Sequence, residues 1–251
     1  RATPALLSVS ASRPASPACS LPGFLLSRSG ALPASPGGIQ PFWPWWFSIS
    51  SRSRDSLVRS WVRFGYSIEW GPAGPCPSSH HNNHQSASTH IGFLRKEVSR
   101  LLACGVVSTS PSAPLVVSAL GVVPKANGGF RPILDNRPVN SFICCPSFRM
   151  ESLDLLPLLS SPGDVLFSVD HMNGYAHMAV HPSSRTYLGF RLDGQYSVYN
   201  SLPFGLSSAP RVYSKTMGVL VRFLRSQGVR MIACLDDWLF ICACPQAQAT
   251  A

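Results

Sequence analysis

The chain has no CxxC pair and no cysteine–histidine spacing of the kind that holds zinc, although it contains eight cysteines. A zinc ribbon or a thioredoxin-type redox site is therefore excluded. Several cysteines, Cys234 and Cys242 among them, lie inside apolar runs, where a free thiol behaves as a small hydrophobe. That usage fits a reducing, intracellular setting, cytoplasm or nucleus, better than a disulfide framework. No apolar run reaches the roughly eighteen residues of a membrane helix, so no membrane partner is expected. Pro and Ser interrupt Arg1–Leu26 too often for a signal peptide. Lysine is scarce too, three against eighteen arginines, and only 11 acidic residues oppose them, leaving a formal charge of +10. Such a balance suits a polyanion such as nucleic acid. The excess is spread evenly, however. Residues 1–89 hold seven Arg against two acids and residues 90–251 fourteen Lys/Arg against nine, so each part is +5. A solvated basic surface explains the charge as well as a nucleic-acid groove does.

Residues 1–89 are rich in Ser, Pro and Ala and show no sustained hydrophobic period, the composition of a disordered tail. The aromatic island Pro41-Phe42-Trp43-Pro44-Trp45-Trp46-Phe47 interrupts it, as a docking segment or, preferably, a stray translated stretch. His80, His81, His84 and His90 sit among Ser and Asn without acidic or cysteine partners, which favours a polar loop over a metal site. Order is expected from about His90. Leu94, Val98, Leu101 and Leu102 recur at helical spacing up to a stop at Gly105.

The stretch from Asp164 to Cys244 carries the chemistry. Val165-Leu166-Phe167-Ser168-Val169 is an apolar run of strand length that delivers Asp170. Arg230 to Leu235 is a second such run; it halts at Asp236-Asp237 before Trp238 to Cys242 leads away, which reads as a hairpin. Adjacent anions between buried strands are costly unless a cation sits there. With Asp170 alongside, the three form an all-oxygen group suited to Mg²⁺. Upstream, Asn127-Gly128 between Leu120–Lys125 and Phe130–Leu134 is a strong hairpin signal. It sets Lys125 and Arg131 beside the tip, where they clasp a triphosphate or simply guard an edge strand. Leu202 to Pro210 is a breaker-rich loop opening a helix with Ser208 as candidate cap and Pro210 in its first turn. Tyr213, Met217, Leu220 and Leu224 mark the buried face of that helix. A shorter helix is expected over Met150–Leu159.

Taken in order, these segments resemble the reverse transcriptases of retroelements. Val123-Pro124-Lys125 with Asn127 to Asp135 is similar to their first fingers motif. Phe167 to Asp170 with Asn173-Gly174-Tyr175 is similar to their first catalytic motif. Leu202 to Pro210 resembles their template- and nucleotide-contacting loop, and Leu235-Asp236-Asp237 the aspartate pair of the YxDD box. The wording from Phe204 to Arg211 and from Gly228 to Leu239 is closest to DIRS-type, tyrosine-recombinase retrotransposons. The resemblance covers about Ile91 to Cys244.

It implies an α+β right-hand polymerase with fingers and palm over residues 90–244, its small antiparallel palm sheet backed by the 151–159 and 210–227 helices. It further implies copying of an RNA or DNA template on a primer with dNTPs as substrate. Asp170, Asp236 and Asp237 would be catalytic and would hold two Mg²⁺ ions, with Mn²⁺ as the alternative. Lys125 and Arg131 would offset triphosphate charge, Tyr175 would press on the sugar, and Phe204 and Gly205 would line the nucleotide pocket. Cys234 stands where the family has an aromatic, Asn173 where Asp is common, and His171-Met172 where a Leu-Lys type of pair is usual. The chain reads as a fragment, without thumb, RNase H or recombinase, and activity is expected once a thumb is restored. Two other readings stay open: an inactive relic that binds nucleic acid through its arginines, and another two-metal palm enzyme such as a nucleotide cyclase. The latter leaves the Pro203-Phe204-Gly205-Leu206 loop unaccounted for.

Overall fold

The computed structural model describes residues 37–125 and 128–243. Expectations placed on 1–36, on Ala126 and Asn127 and on 244–251 lie outside the described residues. Helices α1 (Trp43–Ile49) and α2 (Ser56–Phe64) precede a short β1 (Ser79–His80), α3 (Gln85–Thr89) and α4 (Ile91–Ala103). Strands β2 (Val107–Ser110), β3 (Val116–Pro124) and β4 (Phe130–Asp135) follow, then the single turns α5 (Arg137–Asn140) and α6 (Leu156–Leu159). After β5 (Val165–Asp170) come α7 (Pro182–Arg185), β6 (Gly189–Leu192), β7 (Gln195–Tyr199) and the long α8 (Ala209–Ser226). The chain then forms β8 (Arg230–Cys234) and β9 (Asp237–Cys242).

The strands make two sheets. In the larger, the order is β1-β3-β6-β7-β2, and β4 joins the far half of β3. The nine residues of β3 serve two sets of partners. Its start pairs in parallel with β1 and β6, and Ala119 to Pro124 pair antiparallel with β4. The first seven are buried, as expected of a continuous apolar run covered on both faces. The smaller sheet is wholly antiparallel, in the order β5-β9-β8. Met231 of β8 and Trp238 of β9 pack in one cluster with Tyr213, Met217, Leu220 and Val221 of α8. This α+β arrangement, a small sheet backed by helices, is the one the sequence led us to expect. Pro210 lies in the first turn of α8, but the Ser208 side chain at its start accepts no capping hydrogen bond. Gly228 follows the helix at φ 83°, an arrangement that favours glycine.

Two expectations need correcting. The tail expected to be disordered through residue 89 is folded from residue 37 onward. Trp46, Trp61 and Tyr66 are fully buried in the main core. Trp45 meets Phe223 of α8 edge-on at 5.9 Å, and the buried Asp55 carboxylate pairs with Arg222. The α2 stretch is amphipathic, with Val58, Trp61 and Val62 inward at helical spacing, a local period passed over in a Ser/Pro-rich surrounding. The histidines also have structural work: His80 bonds the Pro114 carbonyl, His84 pairs with Asp135 at 3.3 Å, and His90 lies on Phe130. Strand β5, although an apolar run, is not buried. All six of its residues are exposed, Phe167 at 48%: α8 packs against β8, at the opposite edge of the small sheet. Upstream, the expected 151–159 helix splits into a 3₁₀ turn, Leu153–Leu155, and α6. Pro157 sits at the start of α6, where its missing N–H costs nothing.

If α1 and α2 belong to the fold, Trp61→Ala should lower unfolding free energy by about 3–5 kcal/mol. Chemical denaturation checks this, and an unchanged midpoint would separate the N-terminal helices from the core.

Candidate active site

The site is built on strand register. β5 and β9 pair from Val165↔Cys242 to Asp170↔Asp237, and β9 pairs with β8 through Cys234↔Asp237. Residues directly opposite in a ladder point to the same face, so Asp170, Asp237 and Cys234 share one. Leu235 and Asp236 form the two-residue turn between β8 and β9. Leu235 takes φ 51°, a left-handed conformation that a bulky residue holds only under constraint from its surroundings. The His171 amide supplies part of that constraint by donating to the Asp236 carbonyl at 2.8 Å. Two segments some sixty-six residues apart are thereby fastened end to end.

Asp170 and Asp236 line one cavity of about 520 Å³ together with Lys125, Arg131, Tyr175 and Phe204. Gly205 instead lines an adjoining cleft of about 600 Å³ with His84, Asp135, Asn136 and Arg137. Asp237 is not among the residues lining the first cavity. Among the described residues, no three His, Cys, Asp or Glu side chains stand close enough to hold a metal ion. Mg²⁺ does not require such a cage. It keeps several waters and is held by one or two carboxylates plus substrate phosphates, so the Asp170–Asp236 pair fits it.

Residues 123–250, about half of the chain, match the family described as reverse transcriptase (RNA-dependent DNA polymerase). The chain belongs to the reverse transcriptase family. It is 25% identical over 93 residues, 37% of its length, to the genome polyprotein of Petunia vein clearing virus, of which that match covers 4%. Its fold is similar to that of the foamy viral protease-reverse transcriptase. The TM-score is 0.59 at 22% identity for the form in complex with double-stranded DNA, over 73% of this chain and 31% of that one. For the complex with an RNA/DNA hybrid the TM-score is 0.58 at 20% identity, over 74% and 24%. The chain thus spans less than a third of these solved relatives.

Several local devices shape this reverse transcriptase site. At the fingers tip the Lys125 amide donates to the Gly129 carbonyl and the Gly128 amide to the Lys125 carbonyl, at 2.9 and 3.1 Å. Gly205 has φ 91°, and a Cβ there would come within 2.9 Å of the Leu134 carbonyl oxygen, so the loop before α8 abuts strand β4. Asn140 clamps that loop: its amide nitrogen donates to the Gly205 carbonyl at 2.9 Å and its oxygen accepts from the Ser207 amide at 2.8 Å. Tyr175 packs between Phe204, 5.0 Å away, and Tyr213, 5.5 Å away. Burial raises its pKa and the Asp236 charge adds to the effect, so it stays a neutral phenol.

Three residues escaped sequence reasoning. Glu151 accepts both guanidinium nitrogens of Arg225 at 2.8 Å and the Ala233 amide at 2.9 Å, tying α8 to the strand before the aspartate turn. No local pattern pairs position 151 with 225 and 233. His171 and Tyr213 are hydrogen-bonded at 2.7 Å, and only the unusual His after Asp170 hinted at them. Burial lowers the pKa of His171, against a pull from Asp236. For Glu151, burial pushes the carboxyl up, but Arg225 and the Ala233 amide more than offset it and hold it below its ordinary value. Its stabilising contribution is therefore complete above the unfolded carboxyl range, near pH 4.3, and is lost as pH falls below it. Glu151→Gln should cost about 1–3 kcal/mol at neutral pH and reduce the loss of stability on acidification. Unfolding curves at pH 7 and pH 3 check both, and equal losses at the two would contradict the assignment.

Proposed function

We propose that this chain is the fingers-and-palm part of a retroelement RNA-directed DNA polymerase, which joins dNTPs to a primer 3′-hydroxyl. The observation that supports it most is that two carboxylates from the small sheet, Asp170 and Asp236, share one cavity with two cations from the β3–β4 hairpin, Lys125 and Arg131. A dNTP carries both chemistries such a cavity serves: a polyanionic tail for the cations and a reacting phosphorus for metal-assisted transfer. Two Mg²⁺ ions, or Mn²⁺, would activate the primer hydroxyl and neutralise the leaving pyrophosphate. Asp170 and Asp236 would hold them, while Asp237, opposite Asp170 in the ladder, lies outside the cavity lining. Lys125 and Arg131 would stabilise phosphate charge as it builds, Arg131 through a planar fork and Lys125 as a point charge. Tyr175 would press on the sugar and disfavour a 2′-hydroxyl, and Phe204 would pack on the nucleotide.

The adjoining cleft suits the template strand. Arg137, exposed at its rim while forked onto Asp135, supplies the positive charge there. The foamy viral relatives were captured with double-stranded DNA and with an RNA/DNA hybrid, which supports primer–template binding here. The affiliation with DIRS-type elements rests on the Phe204–Arg211 and Leu235–Leu239 wording. We extend the polymerase unit N-terminally past residue 90 to take in α1 and α2, because both pack on α8. A second reading, decayed activity, draws on Cys234, an exposed thiol opposite Asp237 where the family has an aromatic. Under it, Cys234→Tyr would raise incorporation.

With a thumb restored after this chain, primer extension with Mg²⁺, dNTPs and a primed RNA template should show templated incorporation. Asp236→Asn should lower it at least about 1,000-fold while primer–template binding persists. Incorporation unaffected by Asp236→Asn would remove the proposal.

A further inference from the structure

We propose that Tyr213 is a positioning residue for the sugar end of the nucleotide pocket, acting through His171 and the loop that carries Tyr175. The inference rests on the polymerase reading above and adds a residue to it. Tyr213 lies in the first turns of α8, buried to 2% exposure, and does not line the nucleotide cavity. It touches that site only from behind, at three points. Its hydroxyl is hydrogen-bonded to Nδ1 of His171 at 2.7 Å. A Cβ on Gly174 would come within 2.7 Å of the same hydroxyl, so the loop backbone rests directly on it. Its ring meets Tyr175 in a T-shaped contact at 5.5 Å.

The loop needs such a support. Asn173 sits at φ 55°, and the turn is closed by the Gly174 amide on the His171 carbonyl at 3.2 Å and the Ala176 amide on the Asn173 carbonyl at 2.8 Å. His171 is the node. Its amide holds Asp236, its neighbour is Asp170, and its side chain reaches the helix. A buried phenol and a half-buried imidazole that bond each other fix both rings, whereas removing one partner leaves the other unpaired at a cost. Tyr213 thereby sets how far Tyr175 stands into the pocket relative to the two aspartates.

Tyr213→Phe keeps the ring and removes the bond. It should raise the dNTP KM about tenfold with a smaller change in kcat, and relax dNTP-over-rNTP discrimination by a similar factor. Hydrogen exchange should quicken across residues 171–177 while the β3–β6–β7 sheet keeps its protection. The double variant His171→Leu/Tyr213→Phe, in which neither partner is left unpaired, should recover part of the discrimination. Unchanged exchange and unchanged discrimination in Tyr213→Phe would overturn the inference. So would loss of protection throughout the protein, which marks a general core residue. If Asp236→Asn abolishes incorporation while Tyr213→Phe matches the wild type, the inference falls and the polymerase reading stands. If the wild-type protein with a thumb restored incorporates nothing, that reading falls, and exchange at 171–177 still decides whether Tyr213 holds the loop.

Discussion

The pairing of β5 with β9 in the register Asp170↔Asp237 is the constraint on which the rest of the molecule depends. A slip of one residue would turn every side chain of β5 to the opposite face and carry Asp170 away from the aspartate turn. The apolar pattern of β5 does not hold the register, since its side chains are exposed. The stacked Phe167–Phe240 pair at 5.0 Å and the His171 amide on the Asp236 carbonyl hold it instead. At the far end, Arg230 forks onto Asp164 at 2.7 and 2.9 Å and so locks the start of β8 to the residue before β5.

Helix α8 turns that register into a rigid platform. Its inner face packs on Met231 and Trp238, its Arg225 grips Glu151, and its Tyr213 reaches the loop behind Asp170. Its outer side is covered in turn by α1 and α2 through Trp45 and Asp55. The cations come from an independent sheet. β3 projects Lys125 from a strand whose buried half is fixed between β1 and β6, and Gly205 lets the loop before α8 touch the partner strand β4. The cavity is thus the meeting place of two sheets, each ordered by its own core.

Much of this could be read from residues in line. Apolar runs of strand length ending in Asp170 and Asp236-Asp237, and the glycine-rich turns at Gly128 and Gly194, each carry a local signal whose physics is local. The α8 face at Tyr213, Met217 and Leu220 was legible for the same reason. What was not legible depends on partners far along the chain. Trp46 and Trp61 look like stray aromatics until α8 is there to cover them. Leu166 and Phe167 look like core residues until the sheet is seen to end at β5. Glu151 and the His171–Tyr213 pair take their roles from contacts 42 to 82 residues away, which no window on the sequence contains.

The central claim, that Asp170 and Asp236 of the β8–β9 turn form one divalent-cation site, is tested most directly by Mn²⁺ titration followed through paramagnetic broadening of backbone amide signals. Signals from residues 169–171 and 234–237 should broaden together at the same Mn²⁺ concentration, and both sets should be spared in Asp170→Asn. Broadening of only one set, or of amides elsewhere with these unaffected, would contradict the account.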